Sequence, residues 1–120
     1  MSAKVLIIDD DAFFRRIISD IISKADGFTV IGEANDGIEG LDKLDELQPD
    51  IVFLDIIMPL KNGIETAKEI SKRANAPKII MCSTMKSDSI IKDAENCGIS
   101  AYIKKPPQEE EVLNILRSLV

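Results

Sequence analysis

The stretch Val5-Leu6-Ile7-Ile8-Asp9-Asp10-Asp11 decides how the rest of the chain is read. Four branched apolar residues follow one another without interruption and then stop at three aspartates. A run this short is too brief for a helix and suits a buried strand, with charge delivered at its carboxyl end. Similar Val- and Ile-rich runs return at Phe28–Ile31, Ile51–Leu54, Ile79–Cys82 and Ala101–Ile103.

The segments between these runs carry helical spacing. Phe13, Phe14, Ile17, Ile18, Ile21 and Ile22 fall on one stripe with Arg15, Arg16, Ser19 and Asp20 opposite, which predicts an amphipathic helix laid on a sheet. Ile38, Leu41, Leu44 and Leu47 repeat the pattern, as do Ile64, Ala67, Ile70 and Ala74, then Ile90, Ile91 and Ala94, and finally Val112, Leu113, Leu116 and Leu119. Asp26-Gly27 closes the first helix, Pro49 separates the second from its strand, and Gly98 suits the C′ position of the fourth. Five strands alternating with five helices predict an α/β fold: a doubly wound, flavodoxin-like (βα)5 unit with a five-stranded parallel sheet in the order 2-1-3-4-5. Residues 1–120 form one expected domain, a length near the usual ~100–150 residues.

Composition narrows the function. The formal charge of −6 opposes binding to nucleic acid or anionic membrane, and no stretch approaches the ~20 apolar residues of a membrane span. Cys82 and Cys97 belong to no CxxC or Cys/His cluster and the N-terminus has no signal peptide, so a cytoplasmic setting is expected. The chain has no histidine, which leaves carboxylates, hydroxyls and amines to carry any chemistry.

Ligands of a doubly wound sheet bind at the carboxyl ends of its strands, near the switch point between the first and third. There the sequence places Asp9, Asp10 and Asp11 after the first strand, Asp55 after the third, Ser83 and Thr84 after the fourth, and Lys104 and Lys105 after the fifth. Two carboxylates ~4 Å apart repel by about 4 kcal/mol at an effective dielectric near 20. Such a group asks for a raised pKa or a bound cation, and all-oxygen donors favour Mg²⁺, with Mn²⁺ as the second choice. A carboxylate beside that metal can become the nucleophile that forms an aspartyl phosphate, with Lys105 neutralising a phosphoryl oxygen and a Ser83 or Thr84 hydroxyl donating to another. Taken singly, each residue has a plainer reading: Asp11 as a turn or N-cap residue, Ser83 as a cap, Lys105 as a solvated charge. Their conjunction at successive strand ends favours the chemical reading.

Val5 to Asp10, then Ile51-Val52-Phe53-Leu54-Asp55-Ile56-Ile57-Met58-Pro59 with Asn62-Gly63, then Ser83, then Tyr102-Ile103-Lys104-Lys105-Pro106, resemble the response-regulator receiver domains across the whole chain. Starting at a methionine and standing alone, the domain looks most like the free-standing chemotaxis members. The resemblance implies that Asp55 is the phosphoacceptor and that Asp10, Asp55 and the backbone carbonyl of Ile57 bind Mg²⁺, with Asp9 holding it through water. It makes Lys105 the phosphoryl-contacting lysine, Ser83 the hydroxyl that moves on activation, Tyr102 the aromatic rotamer switch, and Lys105–Pro106 a cis bond. It further implies a histidine kinase or histidine phosphotransfer protein as phosphoryl donor. An output protein, the flagellar motor switch among the candidates, would use the fourth helix, fifth strand and fifth helix. No enzymatic role is expected beyond the protein's own phosphorylation and dephosphorylation, and a monomer is expected.

Four residues depart from the usual pattern. Thr84 stands where Ala or Gly is more frequent, and its branched side chain is expected to slow phosphorylation. Ile57 and Met85 are apolar at positions that govern access of attacking water, which predicts a long-lived phosphoryl group, since an apolar lid lacks groups to orient water. Pro107 replaces a usual Phe. Two other readings compete: a phosphorelay carrier, with the same site, and a haloacid-dehalogenase-type hydrolase, with a DxD such as Asp9-x-Asp11 on the first strand. A flavodoxin-like FMN carrier fits poorly, because no Ser/Thr/Gly-rich phosphate loop follows the first strand and aromatics are 4% of the chain.

Overall fold

The computed structural model describes residues 2–84 and 87–119. The strands are β1 (Ala3–Ile8), β2 (Phe28–Ala34), β3 (Ile51–Leu54), β4 (Lys78–Ser83) and β5 (Ala101–Lys104). The helices are α1 (Ala12–Ser23), α2 (Gly37–Leu47), α3 (Gly63–Ser71), α4 (Asp88–Glu95) and α5 (Glu109–Ser118). The sheet is parallel throughout in the order β2-β1-β3-β4-β5, as the alternation predicts.

Alternate residues of each central strand serve opposite faces. Leu6, Ile8, Val52, Leu54, Ile79 and Met81 meet Leu44 of α2, Ala67 and Ile70 of α3 and Ala94 of α4. Val5, Ile7, Ile51, Phe53, Ile80 and Cys82 meet Ile18, Ile21 and Ile22 of α1 and Val112 and Leu116 of α5. Covering both faces is what makes β1 and β3 continuous apolar runs rather than alternating ones.

Helix starts are fixed by side chains just past the strand ends. Asp11, Asp36 and Asn62 accept from the backbone N–H groups of Phe13, Glu39 and Glu65. Asp11 is therefore the cap that its position after a strand suggests. Three features of the helical stripes differ from expectation. Phe13 is 67% exposed and Ile38 50%, each the second residue of its helix, in the first turn rather than along the packed stripe. Ala74 lies beyond the end of α3 and is exposed. Gly98, at φ +86°, comes two residues after the Asn96 cap rather than at C′, because the chain winds through one further turn. Among the described residues no helix is long and apolar enough to cross a membrane.

Candidate functional site

Register brings the acidic residues together. β1 pairs with β3 so that Ile8 lies beside Leu54, and the next residues, Asp9 and Asp55, emerge side by side at the carboxyl edge. Backbone bonds continue past the strands: Asp9 N–H donates to Ala34 O at 3.0 Å and Asp55 N–H to Ile8 O at 3.0 Å. Asp9 and Asp55 are buried and Asp10 is exposed, and ligand-capable oxygens of all three lie within 4.8 Å of one another. Three carboxylates, which offer hard oxygen donors, could hold a metal ion, and among the described residues no nitrogen or sulfur ligand joins them.

Lys105 joins them from the other end of the sheet. Its backbone N–H donates to Ser83 O at 2.9 Å, tying the segment after β5 to the end of β4. Its ammonium lies 2.7 Å from Asp9 Oδ2 and 3.2 Å from Asp55 Oδ2, with the side chain 4% exposed. The Phe14 ring covers it, the ammonium standing 4.1 Å from the ring centroid. Burial pushes the Asp9 carboxyl above its ordinary value, against the opposing hydrogen bond from Lys105. For Lys105, burial acts to lower the pKa, but its hydrogen bond and charge contacts with Asp9 and Asp55 outweigh it and the net direction is up. A buried ammonium between two carboxylates stays charged for that reason.

The other predicted residues fall around this centre. Ser83 ends β4 and is buried; Tyr102 on β5 is half-buried, and burial raises its hydroxyl pKa against a hydrogen bond with Ser83. Thr84 is exposed and Ile57 is 56% exposed beside Asp55. Met85 lies outside the described residues. Lys105–Pro106 is cis, in line with the resemblance. The Cys82 thiol, pushed up to about 12 by burial, is neither a nucleophile nor a ligand at neutral pH.

Three contributors have no clear sign in the sequence. Phe14 shares the helical stripe with core residues, and nothing in that periodicity marks the ring that covers Lys105. Arg15 reads as solvated helix surface, yet its guanidinium Nη1 donates to Asp9 O at 2.7 Å. Gly63 appears only as part of Asn62-Gly63; a Cβ there would lie 1.9 Å from Asp55 O, so α3 can start against the Asp55 backbone only at glycine.

Residues 5–117 match the response regulator receiver domain family. The chain is 44% identical to chemotaxis protein CheY of Thermotoga maritima, over 99% of this chain and 98% of that protein. It is 41% identical to chemotaxis protein CheY of Bacillus subtilis, over 97% and 96%. Among solved structures it resembles a chain of the CheX–CheY–BeF3–Mg²⁺ complex from Borrelia burgdorferi, with a TM-score of 0.90, 32% identity and coverage of 98% of this chain and 88% of that one.

Proposed function

Because the chain belongs to the response regulator receiver domain family and is a phosphorylation-dependent switch of two-component chemotaxis signalling, we propose that Asp55 is its phosphoacceptor and Mg²⁺ its cofactor. The observation that carries this is the Lys105 ammonium shared by Asp9 and Asp55, with the Asp10 carboxylate beside them. Asp10, Asp55 and the Ile57 carbonyl would hold the metal, with Asp9 behind them. When bound, the cation offsets charge on the phosphoryl oxygens and on the carboxylates.

The chain's own residues do the rest. An Asp55 carboxylate oxygen attacks the phosphorus of a phosphohistidine on a histidine kinase or phosphotransfer protein. The P–N bond breaks as the new P–O bond forms, the electron pair stays on the departing imidazole nitrogen, and that nitrogen takes a proton from solvent. Lys105 neutralises a phosphoryl oxygen, as its present distance from Asp55 supports. The added charge of about −1.5 to −2 gives Ser83 a new acceptor. Ser83 moving toward it would release its bond to Tyr102, and the ring would change rotamer. That couples the site to the surface of α4, β5 and α5, where an output protein, such as a motor switch component, would bind the shifted state more tightly. In this reading the chemistry of the chain is turnover of its own phosphoryl group, and residues 1–120 act as one receiver domain, monomeric and cytoplasmic.

The hydrolase reading loses its motif, since Asp11 is committed to capping α1 rather than facing Asp9 as the second acid of a DxD. Beryllofluoride titration in Mg²⁺, followed by amide NMR, tests the proposal. Shifts centred on Asp55, Ser83, Tyr102 and Lys105 that require both Mg²⁺ and Asp55 are expected; their absence would contradict it.

A further inference from the structure

We propose that Arg15 is a positioning residue for divalent-cation binding, acting through the peptide that joins Asp9 to Asp10. The proposal rests on the Mg²⁺ site above and asks what aims its most exposed ligand.

Arg15 lies near the start of α1 and turns inward, its side chain only 15% exposed. Nη1 donates to the Asp9 carbonyl at 2.7 Å, while Nε pairs with Glu33 Oε1 at 3.0 Å. Glu33 is on β2, and its own carbonyl accepts from Lys43 Nζ on α2. The guanidinium is thus held by one strand and in turn holds the end of another. A planar fork with fixed donor directions suits this better than a flexible ammonium.

Planarity of the peptide carries the effect forward. Fixing the Asp9 carbonyl oxygen fixes the whole Asp9–Asp10 peptide plane, including the amide of Asp10. Asp9 needs no further help, because Oδ1 accepts from Asp11 N–H at 2.9 Å and Oδ2 pairs with Lys105. Asp10 is exposed, so its backbone is the chief determinant of where its carboxylate stands. Arg15 therefore acts on the ligand least constrained by packing. Groups that orient metal ligands without touching the metal typically change affinity by about 10- to 100-fold.

The sign of the effect separates positioning from simple charge. Arg15 is a cation beside a cation site, so electrostatics alone would make its removal tighten Mg²⁺ binding. Positioning makes removal weaken it. Isothermal titration of the full chain with MgCl2 is the test, run on the native protein, Arg15→Met and Arg15→Lys, with metal-free thermal melts as a check on folding. Arg15→Met is expected to bind about tenfold more weakly, and Arg15→Lys, which keeps the charge but not the fork, more weakly than native by a smaller factor. Native or tighter affinity in Arg15→Met, or in Arg15→Lys should the first not fold, overturns the assignment. Absence of Mg²⁺ binding by the native chain would instead contradict the metal site itself.

Discussion

The Lys105 ammonium lies 2.7 Å from Asp9 Oδ2, with both side chains almost wholly buried. Asp55 Oδ2 stands farther off, at 3.2 Å. The lysine is anchored on Asp9 and reaches toward Asp55, the proposed phosphoacceptor, so a phosphoryl oxygen on Asp55 could be contacted without giving up that anchor.

Breaking this arrangement from the lysine side leaves carboxylates facing one another. Lys105→Met is expected to destabilise the metal-free protein by about 3 kcal/mol, the low end for a broken buried pair. Lys105 has a pKa raised above 10.5, so its contribution is full below that pH and is lost as pH rises through the raised value. Urea denaturation of native and variant protein should therefore show a gap at pH 8 that closes above pH 10.5. A constant gap would contradict the ion-pair account.

Asp9 follows the same sign at lower pH. Burial raises its pKa above 3.8, so its contribution is full below that value and is lost as pH rises through the raised one. A bound dication offsets the resulting strain. Mg²⁺ at 100 times its Kd should stabilise the native protein by about 2.7 kcal/mol, visible as a higher thermal midpoint at pH 7.5. Little gain is expected at pH 4, and little at either pH in Asp10→Asn. Equal gains in native and Asp10→Asn protein would rule Asp10 out as a ligand.

Gly63 carries a steric prediction. An added Cβ would strike the carbonyl of Asp55, which is backbone and cannot swing aside. Gly63→Ala is expected to cost about 1–3 kcal/mol by overpacking and to impair phosphorylation as well, because the atom displaced belongs to Asp55, the proposed phosphoacceptor. Native-like phosphorylation with native-like stability would show that α3 does not sit against Asp55 as described.

Ile57 bears on phosphoryl lifetime. Its side chain is 56% exposed beside Asp55 and offers no group to orient water. Ile57→Asn should speed loss of the phosphoryl group by about tenfold, equivalent to 1.4 kcal/mol in the barrier, and more when paired with Met85→Glu. Timed decay of the phosphoprotein after removal of the donor measures this; an unchanged rate would remove Ile57 as an access residue.

Strand ends were the most legible part of this molecule. Alternating apolar runs and amphipathic segments fix a parallel sheet, and the sheet's carboxyl edge then gathers Asp9, Asp10, Asp55, Ser83 and Lys105 without further information. What periodicity could not show lies at helix ends and in the third dimension. A helical stripe reports which side of α1 faces inward but not which of its turns are covered, so Phe13 reads as core although it is exposed in the first turn. The same stripe assigns Phe14 to the core, while its ring in fact meets a cation delivered from β5, far away in sequence. Arg15 belongs to the polar side of the pattern, and its inward partners, Glu33 on β2 and the Asp9 carbonyl, are not visible in that pattern.

Intact-mass spectrometry after incubation with acetyl phosphate tests the central claim most directly, with native protein in Mg²⁺, native protein in EDTA, and Asp55→Asn in Mg²⁺. One phosphoryl adduct on the native protein in Mg²⁺, absent from the other two samples, is the predicted result. An adduct of the same yield on Asp55→Asn would contradict the assignment of Asp55 as the phosphoacceptor.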